Sequence, residues 1–199
     1  MPIPRPLLRD LPDEWQSERL LLRRWRDEDA QALYDALIES REHIRPWMPW
    51  ADSYQTVDDA VEFIRRQSGH WALRDEVAIG IFARDDGTPL GGSGFHVHNL
   101  DIPSFEVGYW LRQSAEGHGY MSEAVRTITR FLFEELGAER VMIRCDSRNR
   151  RSAGVAERLD FPFEGTMRRD SLDPSGSIRD SLVYAMIPDD YARARETWA

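Results

Sequence analysis

The sequence predicts an α/β fold of the α+β kind, a mixed and mostly antiparallel central sheet flanked by helices. Three observations carry this. Residues 77–83 and 89–98 are apolar-rich runs joined through Asp86-Gly87, a dipeptide suited to a tight hairpin turn. A further strand-like run, 105–112, leads through a glycine-bearing loop into a long amphipathic stretch and then an apolar run at 140–146, the pattern of a βαβ crossover. The chain has 199 residues, 41% hydrophobic and 31% charged, which is enough apolar material for one core and too much for a disordered chain. The expected organisation is an irregular, proline-rich arm at 1–16, a single domain at 17–187 and a tail at 188–199.

The elements follow in order. SERLLLRRWR (17–26) alternates near its end and reads as a strand, and Asp27 is placed to cap a helix over 28–39 with Ala30, Leu33 and Leu37 on one face. Residues 40–55 read as a loop with two prolines and three aromatics. Thr56 with Asp59 has the spacing of a capping box ahead of a helix at 57–72 carrying Val61, Ile64 and Trp71. The hairpin strands 77–83 and 89–98 and the strand 105–112 come next. Met121, Ala124, Val125, Ile128, Leu132 and Leu136 give 120–136 a helical stripe that Gly137 ends. Strand 140–146, helix 150–159 and two final strands, PFEGTMRRDSL and 178–187, complete the order β-α-α-β-β-β-α-β-α-β-β.

Composition narrows the function. The net charge is −9, against the basic excess of a phosphate-backbone binder, so nucleic acid is not expected as a partner. All 26 basic residues are arginine, which removes a P-loop lysine, a Schiff-base lysine and any lysine amine from the chemistry. The single Cys145 leaves no intramolecular disulfide and no cysteine zinc cage. No apolar run is long enough to span a bilayer, and the N-terminal prolines and acids do not suit a signal peptide. No membrane association and a cytoplasmic location are the expectations.

The informative segment is strand 105–112, the loop SAEGHG and the helix from Tyr120. A helix start carries unpaired N–H groups and partial positive charge, and glycines let the backbone approach a diphosphate closely. Read alone, Gly117-His118-Gly119 is either a tight turn or such a cradle. The surrounding sequence resembles the GNAT superfamily of acyl-CoA-dependent N-acetyltransferases, in its RimJ/RimL-like subgroup. Ser114-Ala115-Glu116-Gly117-His118-Gly119 aligns with that family's Q/R-x-x-G-x-G/A loop, and GHGYMSEAV with its GxGYxxEA continuation. FEVGYWL resembles its fourth strand, SERLLLRRWRDEDA its opening strand and helix, and RPWMPW a loop of the subgroup. CDSRNRRSAGVAERLDF resembles its fourth helix, with Asn149 and Ser152 at the N-x-x-S positions. The resemblance spans roughly 17–187.

Three departures stand out. Ser114 occupies the loop position usually held by Gln or Arg, with Gln113 one place early. Asp160 replaces a glycine at a left-handed helix end, a conformation Asp tolerates better than most residues. Ala156 stands where many members carry a tyrosine proton donor.

The resemblance implies acetyl-CoA as cosubstrate, no metal, and a sheet splayed between the family's fourth and fifth strands. Its diphosphate would lie on Ser114, Glu116, Gly117, His118, Gly119, Tyr120 and Met121, with His118 offering backbone alone. Asn149 and Ser152 would meet the pantetheine arm, and a backbone N–H among Tyr109, Trp110 and Leu111 would polarise the thioester carbonyl. Glu106 is the candidate base, or else an ion-paired strand carboxylate; Asp170 is the reserve. Ser152 is the candidate acid, or else a first-turn serine serving the helix backbone. Trp47, Trp50, His96 and Glu106 would face the acceptor, with packing as the other reading of the two tryptophans. His98 shares a side with His96. Cys145 reads as a core thiol, and Arg148–Arg151 as either a 3′-phosphate site or a solvated helix start. The expected reaction is acetylation of a primary amine by direct attack in a ternary complex. The acceptor is a protein N-terminal α-amine or a small amine, such as an aminoglycoside, polyamine or amino acid. A non-catalytic acyl-CoA sensor is the alternative, motivated by Ala156 and Ser114. A homodimer, common among such relatives, has no interface legible in the sequence.

Overall fold

The computed structural model describes residues 10–74, 76–99 and 101–198. In chain order it contains β1 (Glu14–Gln16), β2 (Leu20–Arg23), α1 (Ala30–Ile44), α2 (Val57–Leu73), β3 (Glu76–Ala83), β4 (Pro89–Asn99), β5 (Ser104–Leu111), α3 (Tyr120–Glu134), β6 (Arg140–Asp146), α4 (Arg150–Arg158), β7 (Phe163–Leu172), β8 (Ile178–Met186) and α5 (Pro188–Ala194). The strands form one sheet in the order β1-β2-β3-β4-β5-β6-β8-β7. Only β5 and β6 pair in parallel, across the α3 crossover; every other pair is antiparallel.

The sheet is apolar on both faces, which explains the near-continuous apolar run of β3. On one face Leu22, Ile79, Phe105, Val107, Val141 and Ile143 pack with Val125, Ile128 and Leu132 of α3 and with Ala153 of α4. On the other, Trp25 and Phe82 pack with Leu33 and Leu37 of α1 and Ile64 of α2. The capping box ahead of α2 forms as expected: the Asp59 carboxylate accepts the Thr56 N–H at 2.7 Å and the Thr56 hydroxyl at 3.0 Å. Asp160 adopts φ 57°, the left-handed end anticipated for it.

Several boundaries differ from the sequence expectation. The first strand is shorter than 17–26, and Asp27 does not cap α1. Asp29 holds the N-cap position of α1, but its carboxylate closes the preceding turn, accepting the Arg26 N–H at 2.8 Å while pairing with Arg23 at 2.6 Å, and Asp27 binds Arg65 of α2. Helix α1 runs five residues into the expected 40–55 loop because Ser40 and Ile44 continue its buried face. The expected irregular arm gives way to β1, where Trp15 packs edge-on against Phe131 at 5.1 Å and near Trp71 at 6.1 Å; residues 1–9 of the arm lie outside the described residues. The expected tail contains α5, whose Tyr191 stacks on Phe133 of α3 at 4.6 Å. Pro188 at its first turn and Asp190, which accepts the Ile187 N–H at 3.1 Å, are the start signals.

The pairing of β5 with β6 holds only from Ser104↔Arg140 to Glu106↔Met142. Beyond Glu106 the two strands part, and this is the splay expected between them. Two cavities meet at the parting.

Candidate active site

The first cavity, of about 670 Å³, lies between the end of β5, the α3 start, the α4 start and the C-terminal end of α1. Gly117 (φ 81°) and Gly119 (φ 79°) both take the left-handed conformation, which turns the chain so that α3 begins with its free amides at the cavity. Tyr109, Trp110, Leu111, Glu116, Gly117, Gly119, Tyr120, Met121, Asn149 and Ser152 line it. Two residues expected beside them do not. The Ser114 N–H is held by the Glu39 carboxylate of α1 at 3.0 Å, and the carbonyl of His118 accepts from Arg19 at 2.9 Å. Trp47, expected at the acceptor, lines this cavity instead, because the extension of α1 to Ile44 carries it to the loop side.

Backbone direction on β5 follows from its pairing. The Arg112 N–H bonds the Leu90 carbonyl at 2.8 Å, and Gly91 lies opposite Leu111. Hydrogen bonding alternates along an antiparallel pair, so Gly108 and Trp110 turn their polar groups toward β4. Tyr109 and Leu111 turn theirs toward the parting with β6. Their amides lie in the place where the resemblance puts the group polarising the thioester carbonyl.

Side chains complete the wall. Asn149 caps α4, its Oδ1 accepting the Ser152 N–H at 3.1 Å. The Ser152 hydroxyl donates to the Tyr109 hydroxyl at 3.2 Å, and Tyr109 in turn donates to the Ser152 carbonyl at 3.0 Å, which ties β5 to α4 across the gap. Burial pushes the Tyr109 hydroxyl well above its ordinary range, so it stays protonated. Ala156 is fully buried. Of the arginine cluster, Arg151 reaches the cavity rim and binds Glu116 at 2.7 Å, while Arg148 binds Asp146 and Asp173 on the other side. His43 meets the same Glu116 at 2.5 Å. Arg158, not anticipated from the sequence, also lines the cavity. Its signal was helical spacing: Arg151, Val155 and Arg158 share one face of α4.

The motif's glutamate, Glu123, faces away from the cavity and acts as a clamp. It accepts from the Ser17 hydroxyl at 2.7 Å, the Arg19 N–H at 2.8 Å and the Arg19 side chain at 2.7 Å. Burial alone would raise its pKa, but these bonds hold it below the ordinary value.

The second cavity, of about 470 Å³, lies on the opposite face of the sheet under α1 and α2. Tyr109, Trp110 and Met48 line both cavities. A chain of edge-on aromatics walls it: Trp110 to Trp50 at 6.2 Å, Trp50 to Tyr54 at 6.1 Å, Tyr54 to Phe63 at 6.1 Å. Trp110 can lie across β4 only because residue 92 is glycine; a Cβ there would stand 2.5 Å from its indole nitrogen. His96 lines this cavity and Glu106 does not. Glu106 sits opposite His96 in the β4–β5 register, with Oε2 3.6 Å from His96 Nε2 and Oε1 3.5 Å from Arg144 Nε. Arg144 also approaches Asp170 at 3.7 Å, so both base candidates share one guanidinium. Burial raises the Glu106 pKa, but the His96 imidazole and the Arg144 charge beside it outweigh that and leave the carboxylate below its ordinary value. Cys145 is buried on β6, where burial pushes its thiol pKa up, away from the thiolate.

Comparison with known proteins agrees with this architecture. The family model described as "Acetyltransferase (GNAT) domain" matches residues 19–162. A Bacillus subtilis relative named "Probable N-acetyltransferase YjcK" is 31% identical, over 81% of this chain and 91% of that one. The "[Ribosomal protein uS5]-alanine N-acetyltransferase" of Escherichia coli is 27% identical, over 90% of this chain and 93% of that one. The solved structure of the microcin C7 self immunity acetyltransferase MccE, in complex with acetyl-CoA and AMP, superposes with a TM-score of 0.82 at 20% identity, covering 89% of this chain and 97% of that one. The matched residues include the elements that build the first cavity, and the chain belongs to the GNAT acetyltransferase family, an acyltransferase of the RimJ/RimL-like subgroup.

Proposed function

We propose that the protein transfers the acetyl group of acetyl-CoA to a primary amine by direct attack, the two substrates meeting at Tyr109 and Trp110. The observation that carries this is the pair of cavities on opposite faces of one splayed sheet, joined where β5 leaves β6. The loop-side cavity fits a diphosphate: two left-handed glycines, the amides of the α3 start, and Arg151 and Arg158 nearby. Asn149 and Ser152 face the pantetheine arm. The Tyr109 and Leu111 amides are placed to stabilise the oxygen as the carbonyl becomes tetrahedral. Ser152, with Tyr109, is the hydroxyl pair nearest the departing sulfur; a thiol with a pKa of about 8.5 needs little help to leave. The amine proton is taken up at the end of the acceptor cavity lined by His96, with Glu106 behind it.

The acceptor cavity favours an amine with an apolar or aromatic flank. The relatives favour a protein acceptor: the E. coli relative is named an alanine N-acetyltransferase acting on ribosomal protein uS5. An α-amine, pKa about 7.7–8.0, yields its proton far more readily than a lysine amine at about 10.4. The test is CoA release with acetyl-CoA and a panel of alanine- and serine-initiated peptides, polyamines, aminoglycosides and phenethylamine. We expect turnover of an N-terminal peptide, with intact-mass spectrometry finding no acetyl group on Cys145. Acetyl-CoA binding without turnover of any amine would leave a sensor, and an acetylated Cys145 would replace direct attack with a covalent route.

A further inference from the structure

We propose that His96 is the group that takes the proton from the acceptor amine and that Glu106 is a positioning residue behind it; this deepens the acyl-transfer reading and rests on it. Of the two, only His96 lines the aromatic cavity. Its Nε2 lies 3.6 Å from Glu106 Oε2, and the two residues are direct cross-strand partners on β4 and β5. A carboxylate facing Nε2 keeps the hydrogen on that nitrogen and leaves the lone pair on Nδ1. Glu106 is itself fixed from the other side by Arg144 at 3.5 Å, and its side chain is only 14% exposed. The His96 side chain is 48% exposed, so a proton taken up there has a path to water.

The surrounding charges favour imidazolium. Glu76 on β3 is the other direct cross-strand partner of His96, so carboxylates flank it on both neighbouring strands. His98 stands two places along β4. Arg144 on β6 opposes the carboxylates but is engaged by both Glu106 and Asp170. From α2, Glu62 and Arg66 line the same cavity and pair with each other at 2.5 Å. The Glu106 carboxylate beside it raises the His96 pKa above its ordinary value, against the opposing effect of burial. A base works best with a pKa near the operating pH, which suits this imidazole better than a carboxylate held below its ordinary range.

The step balances as follows. The neutral amine nitrogen forms the N–C bond to the thioester carbonyl carbon. His96 Nδ1 takes a proton from that nitrogen. The C–S bond breaks, sulfur leaves with the electron pair, and the thiolate takes a proton from water, directly or relayed through the Ser152 hydroxyl, which regains its own from solvent. Amide and free CoA result, and His96 returns its proton to solvent. Because the imidazole must be neutral to act, kcat/KM rises with pH through its raised pKa.

The experiment uses the full chain with an alanine-initiated peptide and with phenethylamine. CoA release is followed against pH, acetyl-CoA affinity by calorimetry, and the His96 ring by NMR titration. His96→Gln should lower kcat/KM about 100-fold and remove the limb set by the His96 ring, leaving the one set by the amine's own ionisation, with acetyl-CoA affinity within about twofold of wild type. Glu106→Gln should move both the limb and the His96 NMR titration to lower pH. A His96→Gln enzyme that keeps the limb and the rate overturns the assignment. So does a His96 titration unmoved by Glu106→Gln, a result that needs no acceptor at all. Wild-type protein that binds acetyl-CoA yet acetylates no amine of the panel named above overturns the acyl-transfer reading itself, and the role of His96 as base with it.

Discussion

The two cavities that meet at Trp110 are built by different means. The loop-side cavity is shaped by backbone: two left-handed glycines, the α3 start and the amides of a strand end. Its nearest charged side chains are already satisfied by each other, Glu116 holding both His43 and Arg151. The aromatic cavity is shaped by side chains from four separate segments: Trp50 and Tyr54 before α2, Phe63 on α2, His96 on β4 and Trp110 on β5. A backbone site recognises what every acyl-CoA shares. A side-chain site changes its preference with single substitutions while the fold stays as it is.

The sharpest way to break this comparison is at Gly119. Its φ of 79° is costly for any L-residue and most of all for a β-branched one, and strain of this kind amounts to about 1–3 kcal/mol. The space beside it is open: an added Cβ would come no nearer than 3.6 Å to Arg19. Gly119→Val should therefore weaken acetyl-CoA binding about 100-fold through backbone rearrangement, by roughly 2.7 kcal/mol, with the far-UV circular dichroism spectrum retained. Near-normal affinity in a calorimetric titration would show that the amides at the α3 start do not carry the cofactor.

On the acceptor side the effect should be smaller and should fall elsewhere. Trp50 touches both Trp110 and Tyr54 and is the middle of the aromatic chain. Trp50→Ala should raise the acceptor KM about tenfold, within the 1–3 kcal/mol that a partial loss of apolar pocket contact costs, and leave acetyl-CoA affinity unchanged. If both substrates weaken together, the cavities are one mechanical unit and the comparison fails.

The same contrast explains what was legible in the sequence. The order of elements and the crossover could be read because periodicity and glycine placement are local signals, whereas the splay was implied by the family resemblance alone. Glycines at 117 and 119 announce a backbone conformation wherever they occur before a helix. What escaped was set by distant partners. Trp47 was expected at the acceptor and sits on the other side, because the end of α1 depends on Ser40 and Ile44 finding a buried face. Glu123 carries the motif yet faces away from the cavity, clamping Ser17 and Arg19 more than 100 positions earlier in the chain. Strand β1 and helix α5 were missed for related reasons. Trp15 is an anchor only once Phe131 and Trp71 are brought to it, and the cap signals of Pro188 and Asp190 were present but short.

The smallest expected effect tests the backbone half of the comparison most directly. Among the described residues Glu116 is the one anion on the rim of the loop-side cavity, next to the glycine that would carry a diphosphate. It is held by His43 at 2.5 Å and by Arg151 at 2.7 Å, and Arg151 is largely exposed. Ion pairs of this exposure contribute about 0–1 kcal/mol, and salt screens them. Glu116→Gln removes a charge that repels phosphate and releases Arg151 toward it. Acetyl-CoA should then bind about two- to fivefold more tightly at low ionic strength, with the gain fading near 0.5 M salt, as calorimetry at two salt concentrations would show. A loss of tenfold or more would mean that Glu116, His43 and Arg151 hold the cavity open as a unit. The loop-side site would then depend on its side chains as much as the aromatic one does.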